Sequence, residues 1–230
     1  MKLAAVKAPT AQRLGVREQS ARATRESILK AATKIFAKHG FDGGRVEQIS
    51  SAAKSYDRMI YYYFGSKEGL FVAVLEKMYA HFNELETELE IDLAQPIEAL
   101  RKTIEFMAGY YQKHPEFVTL LNAENLHRGK HISKSLRARE YSQPAITLLD
   151  GVLKSGAAKA LFRSDIRARD VYLMIAAMGY FYVSNRFTLS AFLGEDVQRQ
   201  EAQLHWRAFI VDAVLRTVAK ENKVGRTNKR

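Results

Sequence analysis

Val46-Glu47-Gln48-Ile49-Ser50-Ser51-Ala52-Ala53-Lys54-Ser55-Tyr56-Asp57-Arg58-Met59-Ile60-Tyr61-Tyr62-Tyr63-Phe64 is the stretch on which the fold turns. Val46, Ile49, Ala52 and Ala53 recur three or four apart, which predicts a short helix with one apolar side. Lys54-Ser55-Tyr56-Asp57 breaks that period. Met59, Ile60, Tyr63 and Phe64 then resume it as a third helix that Gly65 stops. Two short amphipathic helices around a tight turn have the form of a helix-turn-helix. In that motif the N-terminal residues of the second helix meet base edges in the major groove. Here those residues are Tyr56, Asp57, Arg58 and Met59. Arg58 is the natural reader, because a guanidinium bonds a guanine edge bidentately, worth about 1–3 kcal/mol of discrimination. Tyr61, Tyr62 and Lys67 are placed to touch phosphates, which set register without reading sequence. With Arg45, Lys54 and Ser55 they complete the expected DNA-binding set. Short helix pairs also occur in many helical proteins, so the pattern alone leaves a plain structural pair open.

Upstream, Thr24 and Glu26 read as a helix start, and Ile28, Ala31, Ala32, Ile35 and Phe36 follow at helical spacing up to Gly40. Downstream, Ser66 caps a long helix striped by Leu70, Phe71, Val74, Leu75, Met78 and Phe82. Further helices are predicted from Pro96 to Pro115, from Phe117 to about Leu126, from about Ser133 to Lys154 with a kink at Pro144, over 168–186 and over 196–219; 156–165 reads as a loop. The segment from Val171 to Val183 is apolar nearly all round. Such a helix must be buried on every side, which calls for a partner chain, and Met174, Met178 and Phe181 are its candidate contacts. Four stretches result: a mobile basic arm over 1–22, a three-helix head over 23–69, a helical body over 70–220 and a basic tail over 221–230.

Charge supports this division. The 230 residues carry a net charge of +11, and residues 1–70 hold 13 Lys and Arg against 6 Asp and Glu. A basic first third on a near-neutral body points to a polyanionic partner, most simply nucleic acid. There is no cysteine, which excludes disulfides, thiolate metal sites and cysteine nucleophiles. The 4 prolines and 13 glycines are too few for many short strands, and an all-α fold follows. No apolar run approaches the roughly 20 residues of a membrane span, and the first residues lack the apolar core of a signal peptide. A soluble cytoplasmic protein without a membrane partner is the expectation.

Ile28-Leu29-Lys30-Ala31-Ala32 with Phe36, Gly40-Phe41, Ile49 with Ala53, and Ile60-Tyr61-Tyr62-Tyr63-Phe64-Gly65-Ser66-Lys67-Glu68-Gly69-Leu70 together resemble the N-terminal domain of the TetR/AcrR transcriptional regulators. The resemblance is dense over about residues 24–78. Gly179 to Leu189 is similar to the C-terminal domain of a subgroup that includes pyrimidine-utilisation repressors. The resemblance implies a two-domain homodimer. Its N-terminal helix-turn-helix binds a palindromic operator, and its C-terminal domain binds a small-molecule effector and dimerises through its last two long helices. The chain departs from the family at the turn. Lys54 stands for a glycine, Tyr56 for a capping serine, Arg58 for a small residue and Arg45 for a capping Thr or Ser. Ser55 or Asp57 is then the expected cap.

Other constellations carry less. Glu124-Asn125-Leu126-His127 has the E-x-x-H spacing of a di-iron ligand pair, but no second copy exists. His127 and His131 read as a solvated pair. Phe106, Tyr110, Tyr111, Tyr141, Tyr172 and Tyr180 could line a cavity or be plain core. Asn122, Asn125 and His127 could orient a ligand or face solvent. No cofactor or metal is expected. The reading is a ligand-responsive repressor that is not an enzyme; its rivals are a helical-bundle enzyme and a non-specific nucleoid protein that uses only its basic ends.

Overall fold

The computed structural model describes residues 15–220, with Arg139 known by its backbone alone. The described residues form ten α-helices and two short 3-10 turns; pairing of the β type is limited among them to one isolated bridge, Phe162 with Ala219.

Three helices make the head: α1 (Val16–Gly43), α2 (Val46–Ala52) and α3 (Asp57–Phe64). α1 begins a turn and more before Thr24, so residues 16–22, read from sequence as part of a mobile arm, are helical. That stretch lacks an apolar stripe, but it has no proline or glycine and Glu18 lies in its first turn, where the helix dipole favours an anion. Residues 1–14 and the tail 221–230 lie outside the described residues. Gly40 takes φ 69 and ψ −177, a kink that turns Phe41 back against Phe36 and Phe71. Ile28, Phe36, Ile49, Ile60 and Leu70 are fully buried and form the centre of the head. Each contributes roughly 1.5–3 kcal/mol of apolar burial. Of the third helix's apolar side, Phe64 is half-buried and Ile60 alone is fully buried.

Ser66 caps α4 (Lys67–Thr87), its hydroxyl accepting from the Gly69 N–H at 3.0 Å. α4 carries the chain into the body, built from α5 (Pro96–Lys113), α6 (Pro115–Leu126), α7 (Gln143–Ala158), α8 (Ala168–Ser184), α9 (Arg186–Leu193) and α10 (Gln200–Val218). α5 is the central rod, packed by α7, α8 and α10 and burying Leu100, Ile104 and Met107. α8 crosses it closely at Gly179, where a Cβ would stand 3.0 Å from the Tyr111 ring and 3.3 Å from the Ala108 Cα.

Three sequence readings are corrected. Pro144 does not kink a helix over 133–154; it sits in the first turn of α7, where its missing N–H has no partner to lose, and residues 132–140 hold the two 3-10 turns. α7 runs past Gly156 to Ala158, and the expected loop is correspondingly shorter. A separate helix, α9, follows α8 and ends at Gly194 with φ 68.

Candidate DNA interface and effector cavity

The turn between α2 and α3 closes on backbone bonds. The Lys54 N–H donates to the Ser51 carbonyl at 3.1 Å and the Ser55 N–H to the Ser50 carbonyl at 2.9 Å. Reaching that geometry puts Lys54 at φ 52, in the left-handed region. A side chain there costs roughly 1–2 kcal/mol. Lys54→Gly is accordingly expected to stabilise the protein by about 1 kcal/mol and raise the thermal midpoint by a few degrees. An unchanged or lower midpoint in calorimetry would contradict the strain.

Tyr56 occupies the N-cap of α3 without a side-chain cap bond, so neither Ser55 nor Asp57 caps the helix as expected. Asp57 accepts a short hydrogen bond from the Ser50 hydroxyl instead, which ties α3 to α2. Arg45, at the N-cap of α2, has its N–H bonded to Gln48 Oε1 at 3.3 Å.

These bonds sort the ten expected DNA contacts. Arg58, Tyr61 and Tyr62 stand three and four apart on one exposed face of α3, with Tyr56 beside them and Arg45 and Lys54 exposed nearby. The Arg58 guanidinium lies 5.2 Å over the Tyr56 ring, which holds it at the head of that face. Ser55 and Asp57 are half-buried, and Met59 packs against the core. Lys67 is also half-buried; its ammonium lies 4.7 Å over the Phe41 ring and 3.3 Å from the Asp42 carbonyl.

The body holds a partly open cavity of about 410 Å³ between α4, α5, α6 and α8, walled by Tyr79, Tyr111, Phe117, Glu124, Tyr172 and Tyr180. Burial pushes the Tyr79 phenol up to about 12, raises Tyr111 further, and lifts Tyr172 as well. All three hydroxyls are therefore protonated and available as hydrogen-bond donors. Of the ligand candidates, Tyr111, Asn125, Tyr172 and Tyr180 line this cavity. Asn122 accepts from Tyr180 and, at 3.0 Å, from Ser184; Tyr141 stacks on Tyr79 at 5.4 Å. Phe106 and Tyr110 sit elsewhere, packed on Phe82, with the Tyr110 hydroxyl bonded to the Met78 carbonyl.

Glu124 belongs to the cavity wall and to the joint with the head. Its Oε1 accepts from the backbone N–H groups of His131 (2.7 Å) and Ile132 (2.8 Å), and its Oε2 pairs with His131 Nδ1 at 2.7 Å. The His131 side chain is 1% exposed, which overturns the solvated-pair reading. Its ring lies 4.3 Å from Phe41 and 5.1 Å from Phe71, while His127 reaches Asp42 at 3.5 Å. Glu124 thus pairs with His131 rather than acting with His127 in an E-x-x-H. Nothing in helical periodicity foretells this, because the partners lie seven apart across a loop. Tyr79 was also missed, since it reads as ordinary helix.

An exposed recognition face on a three-helix head, joined by a buried polar contact to a hollow helical body, is the build of a helix-turn-helix transcriptional regulator. Residues 28–74 match the model of bacterial regulatory proteins of the tetR family, and residues 96–214 match the tetracyclin repressor-like C-terminal domain. The chain belongs to the TetR family. It is 54% identical over 205 residues to the HTH-type transcriptional repressor NicS of Pseudomonas putida, covering 89% of this chain and 97% of that protein. It is 36% identical over 95 residues to the regulator RutR of Escherichia coli, covering 41% of this chain and 40% of that one. A TetR transcription regulator from Haloarcula marismortui shares the fold at a TM-score of 0.66 and 16% identity, over 86% of this chain and all of that one. Among the described residues, no helix is long and apolar enough to cross a membrane.

Proposed function

We propose that the chain is a homodimeric cytoplasmic repressor that a small molecule releases from a palindromic operator. The observation that carries the effector half is Glu124, which serves the cavity wall and the head joint with one carboxylate. A ligand among Tyr79, Tyr172 and Tyr180 displaces α6 or α8 by contact, and Glu124 passes that displacement through His131 to Phe41 and the turn ahead of α2. Release then follows as a population shift towards a head spacing that no longer fits successive major grooves, roughly 34–36 Å apart. The repressor sense is supported by NicS, whose name carries it.

The dimer half is supported by an exposed apolar surface on the last helices. Leu173, Phe181, Leu204 and Phe209 are each at least half exposed. Met174 and Met178 are half-buried beside that row, and Trp206 Nε1 donates to the Met178 carbonyl at 3.2 Å. A two-fold dimer through this surface requires a two-fold operator.

Selection of genomic fragments with the purified protein tests the reading. The expected product is an inverted repeat, and an asymmetric single site bound with full affinity would sink it. On that operator Arg58→Ala should relax preference at one base position per half-site. Lys67→Ala should weaken every sequence alike and flatten the salt dependence. Uniform loss in both variants would put Arg58 on the DNA backbone instead.

A further inference from the structure

The body holds a second, larger cleft of about 870 Å³, between the end of α4, the 88–95 connection and the start of α7. Its volume suits a small organic molecule. Leu89, Ile91, Pro144 and Leu148 give it an apolar wall. In a chain of net charge +11, none of its lining residues is Lys, Arg or His, and two are carboxylates. Glu140 is matched by Arg137 at 3.2 Å. Glu86 is not matched: it is 4% exposed, and neither carboxylate oxygen has a hydrogen-bond partner.

An unpaired buried carboxylate is among the most unfavourable groups a core can hold. Glu86 follows Phe82 by one helical turn on the buried face of α4, where an apolar residue would continue the stripe. Burial pushes its carboxyl up to about 7, so near neutral pH it is in part protonated, and a cationic or N–H group beside it would favour the charged carboxylate. Glu86 is nonetheless one of the residues that line the cleft.

We propose that this cleft is a ligand site whose occupant presents an N–H group, on an amine or a ring nitrogen, to the Glu86 carboxylate and lays an apolar ring against Leu89, Ile91, Pro144 and Leu148. The site goes beyond the effector reading, because it stands whether or not occupancy changes DNA binding.

Calorimetric titration of the full chain without DNA tests it, using two matched pairs: indole with N-methylindole, and naphthylmethylamine with naphthylmethanol. In the indole pair the N–H donor is expected to bind about 10–100-fold tighter than its partner, the range for a hydrogen bond to a charged group; the amine should outbind the alcohol because its bond to the carboxylate carries charge on both sides. Glu86→Leu should erase both preferences. Glu86→Gln, which keeps the shape and an acceptor, should erase the amine's preference; it carries the test should the leucine variant fail to fold. Equal binding within the pairs, a preference that survives both substitutions, or failure of all four probes to bind would overturn the proposal. Operator release by the same probes, measured separately, bears only on the effector reading.

Discussion

Replacing Phe181 and Phe209 by glutamate leaves a protein that sediments as a monomer and has lost its operator. Both rings are at least half exposed on a single chain, on α8 and α10, and Phe209 stacks on Trp206 at 5.2 Å. In a dimer closed over this surface, four carboxylates would be driven into an apolar interface, each costing several kcal/mol unless it is neutralised or the chains part. The head keeps its own centre in Ile28, Phe36, Ile49 and Ile60, so helicity should survive. Operator affinity should fall by about 100-fold or more, because each head then pays separately for association that the dimer makes intramolecular. Sedimentation together with an operator titration decides the matter. A variant that still dimerises and still binds tightly would place the interface elsewhere.

Glu86→Gln should make the protein more stable, and increasingly so as pH rises. The folded carboxyl titrates near 7, above the ordinary value of 4.5. The folded state therefore holds a proton that the unfolded chain has released between those values. The associated stability is fully present below about 4.5 and is lost as pH rises through 7. At pH 8 the loss is on the order of 3 kcal/mol. The glutamine variant escapes it and should melt roughly 6–12 °C higher than the parent at pH 8, with little difference at pH 5. A gap of equal size at both pH values would show that Glu86 does not titrate in this range.

Much of the head could be read directly from its residues, because each boundary there has a local cause. Gly65 stops α3 with φ 74, Ser66 caps α4 with its hydroxyl, and Ile28, Phe36 and Ile49 keep helical spacing within one short segment. The strained turn was legible as well, since a lysine in a glycine position names the dihedral it must adopt. The body was less legible. Its helix order survived, but Pro144 read as a kink and acts as a start, and α9 was invisible beside α8. An all-apolar helix gives no phase, so the candidate dimer contacts could not be ranked by exposure from the residues: Phe181 is exposed while Met174 and Met178 are half-buried. Of the candidate site residues, the shared exposed face of Arg58, Tyr61 and Tyr62 on α3 followed from helix spacing. Glu124 with His131 did not, because a contact across a loop leaves no period. Glu86 did leave a signal, an acid at the next turn of an apolar stripe, which passed unnoticed.

The triple engagement of Glu124 bears on how such a protein changes over generations. Its two oxygens are committed to the His131 and Ile132 amides and the His131 imidazole. A substitution there is expected to alter the cavity wall and the head joint in one stroke. Tyr172, Ala176 and Tyr180 on α8 face the same cavity without touching that loop pairing. Substitutions on that face of α8 should therefore reshape the cavity while leaving the Glu124–His131 joint in place.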